Sequence, residues 1–258
     1  MKKYPQKSFL DRVAEANPGL ADIVTEIKSE QAVARLSPIA TQRGGARQGS
    51  MPSAERAAPP IVPAYLEAAL QSEVRVAGSE LKQHSVGDLL LPTGRLVACD
   101  PVAYPRTEAF SVVLPKGRFS VSLSVAQTQV DQRTAFATIR FRATAPVKWE
   151  ILAIDEATRS AGDEPGYPVD TGVAGFIDSA AAQNMMVALD ADESLPEQMD
   201  AEMKKNYLPT WSWVNVPFGS GNLVAFSPGY GDGLYMTYAG FDAEGEVSCI
   251  VTDFKILV

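Results

Sequence analysis

His84, Cys99 and Cys249 are the whole supply of imidazole and thiol side chains in this 258-residue chain. An ordinary zinc site needs three or four such ligands on neighbouring elements, so acid/base or metal chemistry here has to rest on carboxylates. Asp170-Thr171-Gly172, preceded by Pro168 and Val169, has the form of an aspartic-peptidase loop. In that chemistry the Asp shares a proton with a second Asp held within hydrogen-bond reach. The chain has no second loop of this type, so the segment reads as a turn in which Asp170 makes an Asx bond.

Asp190-Ala191-Asp192 begins like a calcium loop, but Leu195 stands where the sixth-position glycine belongs and Ala201 where the twelfth-position acid belongs. A solvated acidic helix is the better expectation. The glycine cluster from Gly229 to Gly233 lacks the ending of a phosphate-binding loop and falls between two apolar runs, which predicts a hairpin turn. Loops that expose Asp beside Tyr on a rigid sheet are also where ligands dock, which keeps Asp232, Gly233 and Tyr235 as candidates. A His84–Cys99 pair is conceivable chemically, yet Cys99 lies in an apolar run where a buried inert thiol is favoured. Arg140 and Arg142 alternate with apolar neighbours and read as a solvent face.

The chain carries 23 Lys plus Arg against 31 Asp plus Glu, and 46% of its residues are hydrophobic. It is long enough to bury one large core. The charge is uneven: residues 1–60 are net +3 and residues 61–258 are net −11. Nucleic-acid binding by the larger part is therefore not expected, since it needs positive charge to displace counterions. Residues 1–39 place apolar side chains at helical spacing around Pro18, which predicts a short helical segment. Residues 40–60, rich in Gly, Pro and Arg, predict a flexible linker, and residues 61–258 an acidic α+β domain. Acidic residues interrupt the basic N-terminus, and prolines and glycines interrupt the longest uncharged run, so neither a signal peptide nor a membrane span is expected. A cytoplasmic protein follows, and the sparse cysteines suit a reducing compartment.

Within the larger part, Pro63 predicts the start of a helix of about ten residues from Ala64. Leu89–Leu91 and Arg95–Cys99 around Pro92-Thr93-Gly94 predict a hairpin, and Phe110–Leu114 a further strand. Phe119, Val121, Leu123 and Val125 alternate with small polar residues, the period of a strand buried on one face. Phe136–Phe141 and Val147–Ile154 add strands, Asp178–Leu189 a helix capped by Asp178 or Ser179, and Asp190–Lys205 an exposed helix after Pro196. Leu223–Phe226, Leu234–Phe241 and Val247–Phe254 predict a three-strand meander. The expected class is α+β, mostly antiparallel β-sheet, sandwich-like or strongly curved, with a few helices and the short helical N-terminal segment.

The segments Leu91–Asp100, Pro115–Phe119, Gly166–Gly172 with Gly175–Asp178, Asn222–Phe226, and Gly229–Tyr235 with Val251–Phe254 resemble, in order and spacing, a bacterial family catalogued as domain of unknown function 4241. The resemblance runs from about Leu89 to the end; where the family pattern continues with Pro after Tyr235, this chain has Met236. It implies a fold unit without an assigned activity. Tyr167, Asp170, Asp178, Asp232, Gly233 and Tyr235 fall inside these motifs and are the candidate functional cleft. If Asp170, Asp178 and Asp232 converged, they would suit a divalent metal held by oxygens or an acid/base pair. With no cofactor motif and an acidic domain, the leading expectation is a non-catalytic bacterial binding protein of immunity type whose partner is a basic protein. The alternative is a carboxylate-dependent, metal-assisted hydrolase or effector domain.

Overall fold

The structure is a computed structural model and describes residues 63–154 and 165–257. The helices and linker expected over residues 1–39 and 40–60 lie outside the described residues. The order of elements is α1 (Pro63–Ala68), β1 (Glu73–Val76), β2 (Ser79–Leu91), β3 (Leu96–Cys99), β4 (Gly117–Gln127), β5 (Gln132–Arg140), β6 (Lys148–Ile151), β7 (Tyr167–Val169), β8 (Ala174–Asp178), α2 (Ser179–Ala191), α3 (Leu195–Lys205), β9 (Trp213–Phe218), β10 (Gly221–Phe226), β11 (Gly233–Phe241) and β12 (Val247–Asp253).

These strands make two antiparallel sheets. The first has the order β1-β2-β4-β5-β12-β11-β6, with β7 also paired to β11, and the second the order β3-β8-β10-β9. Alternation along each strand explains how they stack. Val121, Leu123 and Val125 of β4, Ala137 and Ile139 of β5 and Ile250 of β12 face Ala98, Phe176, Val224, Phe226 and Trp213 of the second sheet in one shared core. The opposite face of the second sheet, with Val97, Ile177, Leu223, Ala225, Val214 and Val216, packs on Ala181, Met185, Leu195, Met199 and Met203 of α2 and α3. On the outer face of the first sheet, Leu66 and Ala69 at α1 cover Leu81, Ala126, Phe136, Cys249 and Val251. The expected α+β class, a mostly antiparallel sandwich, holds. β8, β9 and β10 are buried on both faces, so they lack the polar alternation that marks a half-exposed strand.

Several expected connections differ. Leu89–Leu91 and Arg95–Cys99 do not form a hairpin: β2 belongs to the first sheet and β3 pairs with β8 in the second. Pro92-Thr93-Gly94 is a corner between sheets. Gly94 has φ +73°, and a Cβ there would lie 2.3 Å from the Leu114 carbonyl oxygen, so the segment expected as a strand over Phe110–Leu114 closes over the corner as a loop. It donates from Leu114 N to Gly94 O at 2.8 Å and bridges to Ile154 only at Phe110. The meander is also divided, because β10 joins the second sheet and only β11 and β12 form a hairpin, closed by the expected turn at Asp242–Gly245. The glycine cluster before β11 is consequently a passage between sheets and not a hairpin turn. α3 is half-buried where a solvated helix was expected, because Leu195, Met199 and Met203 recur at helical spacing and pack on the second sheet.

Candidate functional site

The carboxylates of the motifs divide into buried anchors and exposed groups. Asp100 follows β3 and is wholly buried. Its Oδ1 accepts hydrogen bonds from Val102 N and Ala103 N, both at 2.9 Å, and its Oδ2 accepts from Asp170 N at 3.0 Å and Thr171 N at 2.9 Å. Thr171 Oγ1 donates to the same carboxylate at 2.8 Å. A buried anion is tolerated when its lone pairs meet polarised N–H and O–H groups. The Asx bond expected from Asp170 is therefore replaced: the loop is held by Asp100, which the motif spacing contains but which no local turn pattern singles out.

Asp178 is wholly buried too. It caps α2 through Oδ1, which accepts from Ala180 N at 3.0 Å, as the sequence predicts. Its Oδ2 accepts from Thr93 N at 3.0 Å and Thr93 Oγ1 at 2.8 Å, which fixes the corner between the sheets. Asp178 stands at the far end of β8 from the Asp170 loop, and the five residues of that strand alone span about 13 Å. It does not join the other candidates.

Asp170 and Asp232 lie on neighbouring loops. Gly233 pairs with Val169 and Tyr235 with Tyr167, and Asp232 and Asp170 are the residues that follow where this pairing ends. The loops touch: a Cβ on Gly231 would lie 3.7 Å from the Gly172 Cα. Both carboxylates are exposed. Gly233 leaves room for the Tyr235 ring, which a Cβ there would meet at 3.1 Å. Tyr235 is buried, donates from its hydroxyl to Gly231 O at 2.8 Å, and packs edge-on against Phe254 and Tyr167. Burial pushes both phenols well above their ordinary range, with the Asp232 charge adding to the effect at Tyr235. Tyr167 and Tyr235 thus support the loop from beneath. Among the described residues, no three His, Cys, Asp or Glu side chains are grouped to hold a metal ion.

His84 packs its ring on Trp211 at 4.9 Å, and burial lowers its pKa. Cys99 is buried, which pushes its thiol up to about 12 and makes it a poor nucleophile. Arg140 reaches Leu70 O and the Arg142 and Ala143 carbonyls, while Arg142 pairs with Asp242.

Two further polar sites have no local signature in the sequence. Asn222 and Asn215 join the sheets at the β2 backbone, through Leu90 N and Asp88 O. Asp253, at the end of β12, is only 6% exposed. Burial raises its carboxyl to about 6 from 3.8, opposed by the Lys255 N–H bond and the Lys255 charge. The folded chain therefore keeps this proton up to about pH 6, whereas the unfolded chain releases it near pH 4; stability from this group is fullest below the lower value and is lost as pH rises through the window. Asp253→Asn keeps an oxygen for Lys255 N and removes the buried charge. It is expected to stabilise the protein by about 1–3 kcal/mol near neutral pH and to leave it unchanged near pH 4, read as melting temperature at the two pH values. Equal effects at both would show that Asp253 stays ionised in the fold.

No helix among the described residues is long and apolar enough to cross a membrane. No curated protein and no solved structure matches the chain. The family described as protein of unknown function, DUF4241, matches residues 89–252. That span opens near the end of β2 and closes in β12, and it contains Thr93, Gly94, Asp100, Thr171, Asp178 and Asn222, the groups that tie the two sheets and their loops. The chain belongs to the DUF4241 family.

Proposed function

We propose that the protein acts by binding and not by catalysis: an acidic module that covers a basic protein partner in the cytoplasm, as an immunity protein covers a toxin or effector. The observation that supports this is the division among its acids. Asp100 and Asp178 are committed to backbone amides inside the fold, whereas Asp170, Asp190, Glu193, Glu197, Asp200 and Asp232 are exposed. Exposed charge of one sign steers a partner of the opposite sign and selects against others. With residues 61–258 at net −11, that partner is basic, and nucleic acid is not a partner of this part.

Immobilised full-length chain, mixed with a lysate of its own host and washed at rising salt, is expected to retain a basic protein at low salt and release it at moderate salt. Retention of no basic protein at low salt would sink this reading. The hydrolase alternative draws on the adjacency of the Asp170 and Asp232 loops, which meets the first requirement of a carboxylate pair. It predicts a rise in melting temperature on titration with calcium, magnesium or manganese, abolished by Asp232→Asn; a flat titration counts against its metal-assisted form.

A further inference from the structure

β12 leaves β5 before β5 begins: their last paired residues are Asp253 and Phe136. Loops take over the vacated edge in turn. Phe254 N donates to Ala135 O at 2.9 Å and Gly229 N to Thr134 O at 3.1 Å. Thr210 Oγ1 donates to Gln132 O and accepts from Gln132 N at 3.2 Å. Thr210 itself has φ +73°, a left-handed conformation that costs energy for a β-branched residue and persists only when its surroundings hold it. The β4–β5 turn beside them is closed by Thr128 N donating to Asp131 O at 2.9 Å. These loops are tied down, yet they present Val130 at 89%, Tyr230 at 69% and Tyr207 at 59% exposure.

Exposed tyrosines on pinned loops lose little conformational freedom on binding, which is why such side chains dominate protein-binding surfaces. The chemistry this surface accepts is visible in the chain itself. The Arg133 guanidinium stands 5.2 Å from the centre of the Tyr230 ring, and its Nε donates to Asp131 Oδ2 at 2.8 Å. An aromatic face beside a carboxylate thus already receives a cation here. Asp232 lies two residues from Tyr230, and Asp170 is on the loop touching it; both are exposed.

We propose that Val130, Tyr207 and Tyr230, rimmed by Asp170 and Asp232, form the docking face for a basic protein segment, with Lys or Arg stems on the rings and their charges on the two carboxylates. This rests on the binding reading above and assigns it a surface. The test uses the full chain and a fluorescein-labelled peptide of alternating arginine and glycine, read by anisotropy, with the glutamate-for-arginine peptide as control. Val130→Ser with Tyr230→Ser changes two exposed side chains that form no hydrogen bonds among the described residues, Tyr230 giving up only its contact with Arg133, and it is expected to weaken binding about tenfold. Asp170→Asn with Asp232→Asn is expected to weaken it about fivefold. Glu244→Gln with Glu246→Gln removes the same charge at the opposite end of β12 and is expected to change binding less than about twofold. If the Glu pair weakens binding as much as the Asp pair, or the Val130 and Tyr230 pair leaves it intact, the docking face falls and general acidic attraction remains. If the unaltered chain binds no basic peptide, the binding reading falls with it.

Discussion

Asp100→Ala is expected to lower folding stability by about 3–5 kcal/mol, or to prevent accumulation of folded protein altogether. The carboxylate is wholly buried and holds both its own turn, through Val102 N and Ala103 N, and the loop at Asp170 and Thr171. Removing it leaves those amides without an acceptor, and each orphaned donor costs about 1–3 kcal/mol before any relaxation. Against a net stability of about 5–15 kcal/mol for a domain, that sum is large. Asp100→Asn is expected to be nearly as damaging, because the amide presents two N–H groups where the fold supplies only donors. Thr171→Val removes one hydroxyl and is expected to cost about 1 kcal/mol. Urea midpoints of the three variants check the order. A loss under about 1 kcal/mol for Asp100→Ala would show that water replaces the carboxylate and that the loop is not held as described.

The same anchor explains what was legible in the sequence. Elements whose cause is local match their sequence pattern: the helix capped by Asp178 and the β11–β12 hairpin with its Asp242–Gly245 turn, whereas in β4 the period of two holds only as far as Leu123, because Ser124 and Ala126 on the expected polar face are buried as well. Which sheet a strand joins was not legible, because a hairpin turn and a corner between sheets draw on the same residues. Pro92-Thr93-Gly94 carries turn chemistry, yet Asp178, 85 residues away, seizes Thr93 and sends the chain into the second sheet. Gly229 is likewise committed to Thr134 O, far back in the chain, instead of to a hairpin partner. The candidate site was half legible for the same reason. Asp170 and Asp232 stand out as acids in glycine-bearing loops, and those loops touch, whereas Asp178, grouped with them by its motif, serves as the buried cap that its place before the helix predicts. Tyr207 and Val130 carry no signal at all, since the Tyr207 loop reaches the start of β5 only through the Thr210 bonds to Gln132, as the Tyr230 loop does through Gly229 to Thr134.

Asn222→Asp is expected to destabilise the protein by about 3 kcal/mol near neutral pH, more than Asn222→Ala at about 2 kcal/mol, although it alters the side-chain volume less. The reason lies in the β2 backbone. The register with β4 shifts between Ser85 and Asp88, and Gly87 there has φ +103°, so the bulged strand turns backbone groups toward the second sheet. Asn222, 1% exposed on β10, answers them: its Oδ1 accepts from Leu90 N at 2.7 Å and its Nδ2 donates to Asp88 O at 2.8 Å and to Asn215 Oδ1 at 2.5 Å. Asn215 Nδ2 also donates to Asp88 O, at 3.1 Å. Alanine leaves Leu90 N unmet but lets Asn215 keep Asp88 O. A carboxylate instead sets a charged acceptor against two acceptors in a site closed to water, and repulsion adds to the lost bonds. Protonated, the introduced carboxyl regains a donor. Its pKa in the fold is therefore raised above the unfolded value, so the deficit is smallest below about pH 4 and grows as pH rises toward the folded value. Urea midpoints of Asn222→Asp near pH 5 and near pH 7.5 are expected to differ in that direction, while Asn222→Ala shows no added slope. A deficit independent of pH would mean that water reaches Asn222 and that its bonds to the β2 backbone are not sealed between the sheets.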